Sequence, residues 1–204
     1  VIHIRIPDIF NQGPRHALAK SIWAAAADHW GDEVAIDMYP HQGTHRDALR
    51  SWWFHAHKHP DTVQVFTETD FLPEPTFLKA ARADAALYGL TGPQARHRDC
   101  GKSLPVDHSP QAGAWLLVAA PERIRQLDFS SSEPGRSLPE ECPGMNLLAG
   151  EWQDPGLYYP GYGLHTFWSR AWHDDAPAGG AFDLEDIRQK IDVHLQHYRE
   201  IWNV

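Results

Sequence analysis

The 204-residue sequence lacks most of the features that narrow a chain's class at once. Cysteine is scarce: Cys100 and Cys142 can form one bridge at most, and their spacing matches no metal-ligand pattern. A disulfide framework is thereby excluded, and two free thiols in a reducing compartment are expected. No run of about 18 apolar residues occurs, the length a helix needs to cross a bilayer. Nor does the sequence open with the basic and then apolar stretches of a secretory signal. A cytoplasmic chain with no membrane span is the expectation. Positive charge is also in short supply. With 18 basic against 27 acidic residues the formal charge is -9, and no Lys/Arg run gathers anywhere. Long-range repulsion then disfavours nucleic acid or an anionic membrane as a bulk partner. A metal ion or a local pocket can still hold a phosphorylated small molecule.

What is present is a hydrophobic fraction of 42% with 11% aromatics, enough apolar surface for a sizeable core and too much for a wholly disordered chain. One domain over residues 1–204 is expected from this length. Fourteen histidines and nine tryptophans are unusual, yet abundance by itself selects no residue.

The order of elements can be read from periodicity. Residues 1–7 alternate branched apolar residues with His3 and Arg5, which suits a strand closed by Pro7. Pro14 can open a helix whose apolar positions Leu18, Ile22, Ala25 and Ala26 recur as far as Trp30, with Gly31 as the stop. Residues 33–40 read as a second strand. A second helix is expected from Thr44 to about His59, with Leu49, Trp52, Trp53 and Ala56 on one face. Residues 62–70 are β-branched and alternating, and the prolines of FLPEP forbid continuation as a central strand. Strand, helix, strand, helix, strand at this spacing predicts βαβ units, hence an α/β domain with a mostly parallel central sheet flanked by helices.

Beyond this, residues 77–88 read as a short helix, 87–93 as a strand end and turn, and 94–111 as a polar loop. Residues 112–119 form an apolar run of buried-strand length, and Pro121 starts a helix through about Leu127. A loop over 130–144 and a helix over 145–152 follow. The aromatic, Gly-punctuated stretch 156–175 resists assignment. From Asp183, its cap, the tail reads as a helix with Leu184, Ile187, Ile191, His194/Leu195 and Tyr198 on one stripe. These elements divide the domain into a first half at 1–78, a second half with loops at 79–182, and a C-terminal helix at 183–204.

The best-motivated chemistry lies in TETDFLPEPTFL, residues 67–78. Side chains alternate along extended backbone, so Glu68 and Asp70 are expected on one side. Two adjacent carboxylates repel unless a cation sits between them, and Mg2+ or Mn2+ is the natural one. In this arrangement the segment resembles the strand-end DxD motif of GT-A fold glycosyltransferases, with Glu68 departing from the usual Asp. The resemblance covers roughly residues 1–130 in order of elements.

Several roles follow from the resemblance alone. It implies a Rossmann-like GT-A domain and a metal-dependent transfer of a sugar from a nucleotide-sugar donor, UDP-linked first of all, to an acceptor hydroxyl. Asp70 would ligate Mn2+ or Mg2+, with Glu68 assisting or touching the donor ribose. Pro7, Asp8 and Asn11 after the first strand, and Asp37 after the second, would line the nucleotide pocket. Residues 109–127 would form the acceptor side, with Gly113 allowing close approach of a sugar. Glu140 and Glu141 would include the base that deprotonates the acceptor. A third metal ligand would come from His165 or His173, and Tyr159, Tyr162, Trp168 and Trp172 would stack on a sugar face.

Two other readings compete. The triplets His45-Arg46-Asp47 and His97-Arg98-Asp99 fit the histidine-carboxylate pattern of a non-haem Fe(II) oxygenase. A carbohydrate-binding or assembly domain would keep the fold without catalysis.

Overall fold

A computed structural model describes residues 1–8, 13–42, 45–91, 116–125, 156–159, 161–166 and 184–204. Strand β1 (Ile2–Asp8) leads through helix α1 (Gly13–Trp30) and a 3-10 turn to β2 (Val34–Pro40). Helix α2 (His45–Ala56) leads to β3 (Val63–Thr67) and the short β4 (Phe71–Pro73). After α3 (Phe77–Tyr88) come β5 (Leu90–Thr91), β6 (Leu116–Ala119) and the single turn α4 (Pro121–Ile124). Strands β7 (Gly156–Tyr159) and β8 (Gly163–Thr166) precede the final helix, α5 (Leu184–Trp202).

Among the described residues the strands form two sheets. The larger has the order β2-β1-β3-β6-β5. It is a mixed sheet: β2, β1 and β3 run parallel, whereas β6 runs against both β3 and β5. The βα units expected from the sequence account for the parallel part. The smaller sheet, with the order β4-β8-β7, is antiparallel and was not anticipated. Its first strand lies at an edge, where Pro73 has no central ladder to break.

The two faces of the larger sheet pack differently. Ile2, Ile4 and Ile6 of β1, Val65 of β3 and Val118 of β6 join Ala19, Ile22, Trp23 and Ala26 of α1 and Ile191, Leu195 and Tyr198 of α5 in the main core. On the opposite face Phe66, Leu117 and Ala119 meet Leu49, Trp52 and Ala56 of α2 and Ile124 of α4. The period of two places His3 and Arg5 on this second face, beneath α2. Arg5 reaches Ser51 and His55 of that helix.

Three tryptophans have a joint role that composition does not reveal. The indole N–H groups of Trp23, Trp30 and Trp202 donate to the carbonyls of Phe71 (2.8 Å), Pro75 (3.2 Å) and Pro73 (2.8 Å). Helices α1 and α5 thus grip the segment 71–75 from inside the core, and each buried N–H finds an acceptor.

Some boundaries move. Helix α2 stops at Ala56, and residues 57–62 form hydrogen-bonded turns instead of a further helical turn to His59. Strand β3 ends at Thr67, short of the expected Asp70. The loops at 94–111 and 130–144, the helix at 145–152, and Thr44, Gly113, Leu127 and Asp183 lie outside the described residues. No described helix is long and apolar enough to cross a membrane.

Candidate functional site

The carboxyl ends of β1, β2 and β3 share one rim, the side on which ligands of open α/β sheets bind. Just past β3 the chain reverses, and the N–H of Phe71 donates to the carbonyl of Glu68 at 3.1 Å, closing a β-turn over 68–71. The acidic triplet therefore sits in a turn, not on extended strand. Strand alternation is not what aligns its carboxylates.

Pairing with β8 completes the cluster. Phe71 lies opposite His165 in the antiparallel ladder, and both the N–H and the Oγ1 of Thr166 donate to the carbonyl of Asp70, each at 3.0 Å. This ladder carries a histidine 95 positions downstream of Asp70 (165 minus 70) to the acidic turn. His165 Nε2 lies 3.4 Å from Asp70 Oδ1 and 4.0 Å from Glu68 Oε2. One candidate ligand atom from each of the three residues falls within 4.8 Å of the others. The side chains are only 5% (Asp70 and His165) and 12% (Glu68) exposed, so charge here is weakly screened by water.

Burial raises the Asp70 carboxyl above its ordinary pKa; the His165 ring pulls it back and Glu68 pushes it further up. Asp70 Oδ1 is buried without a hydrogen bond of good geometry. A buried carboxylate oxygen facing a second acid and an imidazole is the donor set a divalent cation answers. Mixed oxygen and nitrogen donors suit Mn2+ better than Mg2+.

The other nominated residues fall elsewhere. Asp8 ends β1 at the same rim, but its carboxylate is engaged by α1, with His16 Nε2 at 2.6 Å and Lys20 Nζ at 2.8 Å. Pro7 is buried beside it within β1. Asp37 lies inside β2 and not beyond its end; its carboxylate accepts from Arg5 Nη1 at 2.6 Å on the α2 face. Tyr162 is directed away from solvent, its hydroxyl donating to Asp84 at 2.7 Å. Asn11, Glu140, Glu141, His173, Trp168, Trp172 and the side chain of Tyr159 lie outside the described residues, as do His97, Asp99 and the side chain of His45.

Sequence reasoning passed over Thr166, whose side chain fixes the Asp70 carbonyl, because nothing in a single threonine marks it. It also passed over the histidines of HAHKH at 55–59, where a spacing of four residues was a readable signal. Set against known proteins, the chain matches no family model, no curated protein and no solved structure.

Proposed function

We propose that the chain is a metal-dependent glycosyltransferase that moves a sugar from a nucleotide-sugar donor, UDP-linked first of all, to an acceptor hydroxyl. The observation that carries this reading is the meeting of Glu68, Asp70 and His165 just beyond the carboxyl end of β3. Three parallel strands with two βα connections lend further support to a Rossmann-like GT-A domain. A cytoplasmic setting belongs to the same reading.

Asp70 and Glu68 would hold Mn2+, or Mg2+, with His165 as the nitrogen donor. The bound cation supplies neutralisation of the diphosphate that leaves as the sugar is transferred. The chain's own part is positioning. The turn at 68–71 presents two carboxylates, Thr166 locks the backbone of Asp70, and burial keeps water from screening the charges. Glu140 and Glu141 remain the proposed source of the base for the acceptor hydroxyl.

The histidine and carboxylate count bears on the competing oxygenase. That chemistry uses two histidines and one carboxylate, and this cluster has the inverse ratio.

Calorimetry with UDP, GDP, CMP and dTDP, each with and without Mn2+, tests the proposal. Binding of one nucleotide only when Mn2+ is present, lost in Asp70→Asn, is expected. Nucleotide binding indifferent to Mn2+ and to Asp70→Asn would remove the basis for the assignment.

A further inference from the structure

A second cluster of potential ligands lies toward the other end of the strands. His3 projects from the start of β1, His55 from the last turn of α2, and His59 from the turn that follows. Their ring centroids are 4.3 Å apart for His3 and His59, 4.8 Å for His55 and His59, and 6.1 Å for His3 and His55. One nitrogen from each ring falls within 4.8 Å of the others. His3 pairs in register with Gln64, four residues before Glu68, so the cluster sits about 13 Å along the strand from the acidic turn. It also lies on the α2 face.

We propose that His3, His55 and His59 form a second metal site, a three-imidazole cradle for a transition-metal cation of the Zn2+ or Cu2+ kind. The three rings come from separately anchored pieces of backbone. The carbonyl of His59 accepts from Thr62 Oγ1 at 3.0 Å and from the side chain of the buried Gln64 at 3.1 Å, which fixes the turn. His3 is set by the parallel ladder and His55 by its helix. Three nitrogens at about 2 Å from a common Zn2+ lie about 3.3 Å from one another, so small side-chain rotations close the site.

As packing alone the arrangement is poor. The rings of His3 and His59 contact other rings and make no side-chain hydrogen bond among the described residues. Burial, together with the neighbouring His59, lowers the pKa of His3, and burial, together with Arg5, lowers that of His55. The neutral rings this favours at pH 7 are the form that binds a metal.

Arg5 is the neighbour that must be accommodated, because its Nη1 lies 2.7 Å from His55 Nδ1. The guanidinium has two other acceptors, Asp37 Oδ2 at 2.6 Å and Ser51 Oγ at 3.0 Å, and Asp37 offsets its charge. Loading the site therefore exchanges the Arg5–His55 hydrogen bond for a metal–nitrogen bond while Arg5 keeps its place.

The test uses the full chain carrying Asp70→Asn, so that the acidic centre does not contribute. Calorimetry with Zn2+ should find one equivalent bound. Losing an outer partner of a metal ligand costs about 10- to 100-fold in affinity, so His3→Gln or His59→Gln, each removing a ligand, should cost at least tenfold. His57→Gln is the control. That ring packs edge-on against Trp53 and its Nδ1 contacts the Trp53 carbonyl, outside the cluster, so affinity should hold. Cu2+ bound to the Asp70→Asn chain, with all three histidines in place, should show electron paramagnetic splitting from three nitrogens, a readout that needs no histidine variant to fold. Absence of the Zn2+ equivalent, equal losses in His57→Gln and His59→Gln, or a Cu2+ spectrum with fewer than three nitrogens would overturn the proposal. None of these results depends on whether the acidic turn binds a nucleotide.

Discussion

A carboxylate as deeply buried as that of Asp70, beside a second acid, destabilises the cation-free protein when it ionises. Burial first, and Glu68 in addition, hold its pKa above the ordinary 3.8 despite the pull of His165. The native state then binds this proton more tightly than the unfolded chain does. Its contribution to stability is complete below the ordinary carboxylate range and is lost as pH rises through the elevated folded value. With a chelator present at pH 7.5, Asp70→Asn should therefore melt above the parent, by about 2–4 °C for each kcal/mol of relieved charge burial in a chain of this size. The gap should close as pH is lowered toward 4, and added Mn2+ should raise the parent's melting temperature but not the variant's. Scanning calorimetry reads all three, and a variant that melts below its parent by the same margin at every pH would mark Asp70 as purely structural. Glu68 and Asp70 were legible in the sequence because two acids after an alternating apolar run form a pattern. A β-turn and the hydrogen bonds from Thr166, not strand alternation, set the position of Asp70.

Strands β4 and β8 decide whether His165 reaches that carboxylate, and one glycine decides whether the strands can approach. Gly163 has φ of 142°, and a Cβ built there would stand 2.1 Å from the carbonyl oxygen of Leu72. The obstacle is backbone, so no rotamer change relieves it. Gly163→Ala should push β8 away from β4 and carry His165 off Asp70, at a cost of about 1–3 kcal/mol in strain alone. The larger sheet shares no strand with this ladder, so far-UV circular dichroism should change little while Mn2+ affinity falls at least tenfold. A variant that retains full Mn2+ affinity would separate His165 from the cation site. This small sheet could not be read from sequence, since strands of three and four residues interrupted by glycine and proline show no measurable period. Helices were read more faithfully. The segment 77–88 was placed at its observed limits, because Phe77, Leu78, Ala81 and Ala85 recur at helical spacing on a buried face.

At the scale of the whole molecule, the α/β character follows from alternating strand and helix patterns in the first 67 residues, and the core faces follow from β-strand alternation in β1. Strand direction beyond β3 was not legible. An apolar run such as that of β6 reports burial on both faces and says nothing about which way the chain travels. The overall charge of -9 bears on how a diphosphate would be held. A cleft of about 370 Å³ beneath α2 collects Arg5, Arg50 and Lys58 with Ser51, His55 and Asp47, and is the competing place for an anion. The two locations respond oppositely to salt. Binding through a buried cation at the acidic turn is shielded from ions in solution, and screening weakens the repulsion between the acidic chain and the nucleotide. Nucleotide affinity measured with saturating Mn2+ should therefore hold or rise slightly between about 0.05 and 0.3 M NaCl, as the Debye length shrinks from about 14 to 6 Å. Contact with exposed Lys58 and the half-buried arginines of the cleft would instead weaken with every increment of salt. A steep loss of affinity, abolished by Lys58→Ala and indifferent to Asp70→Asn, would move the nucleotide to the α2 face and leave the acidic turn without its diphosphate.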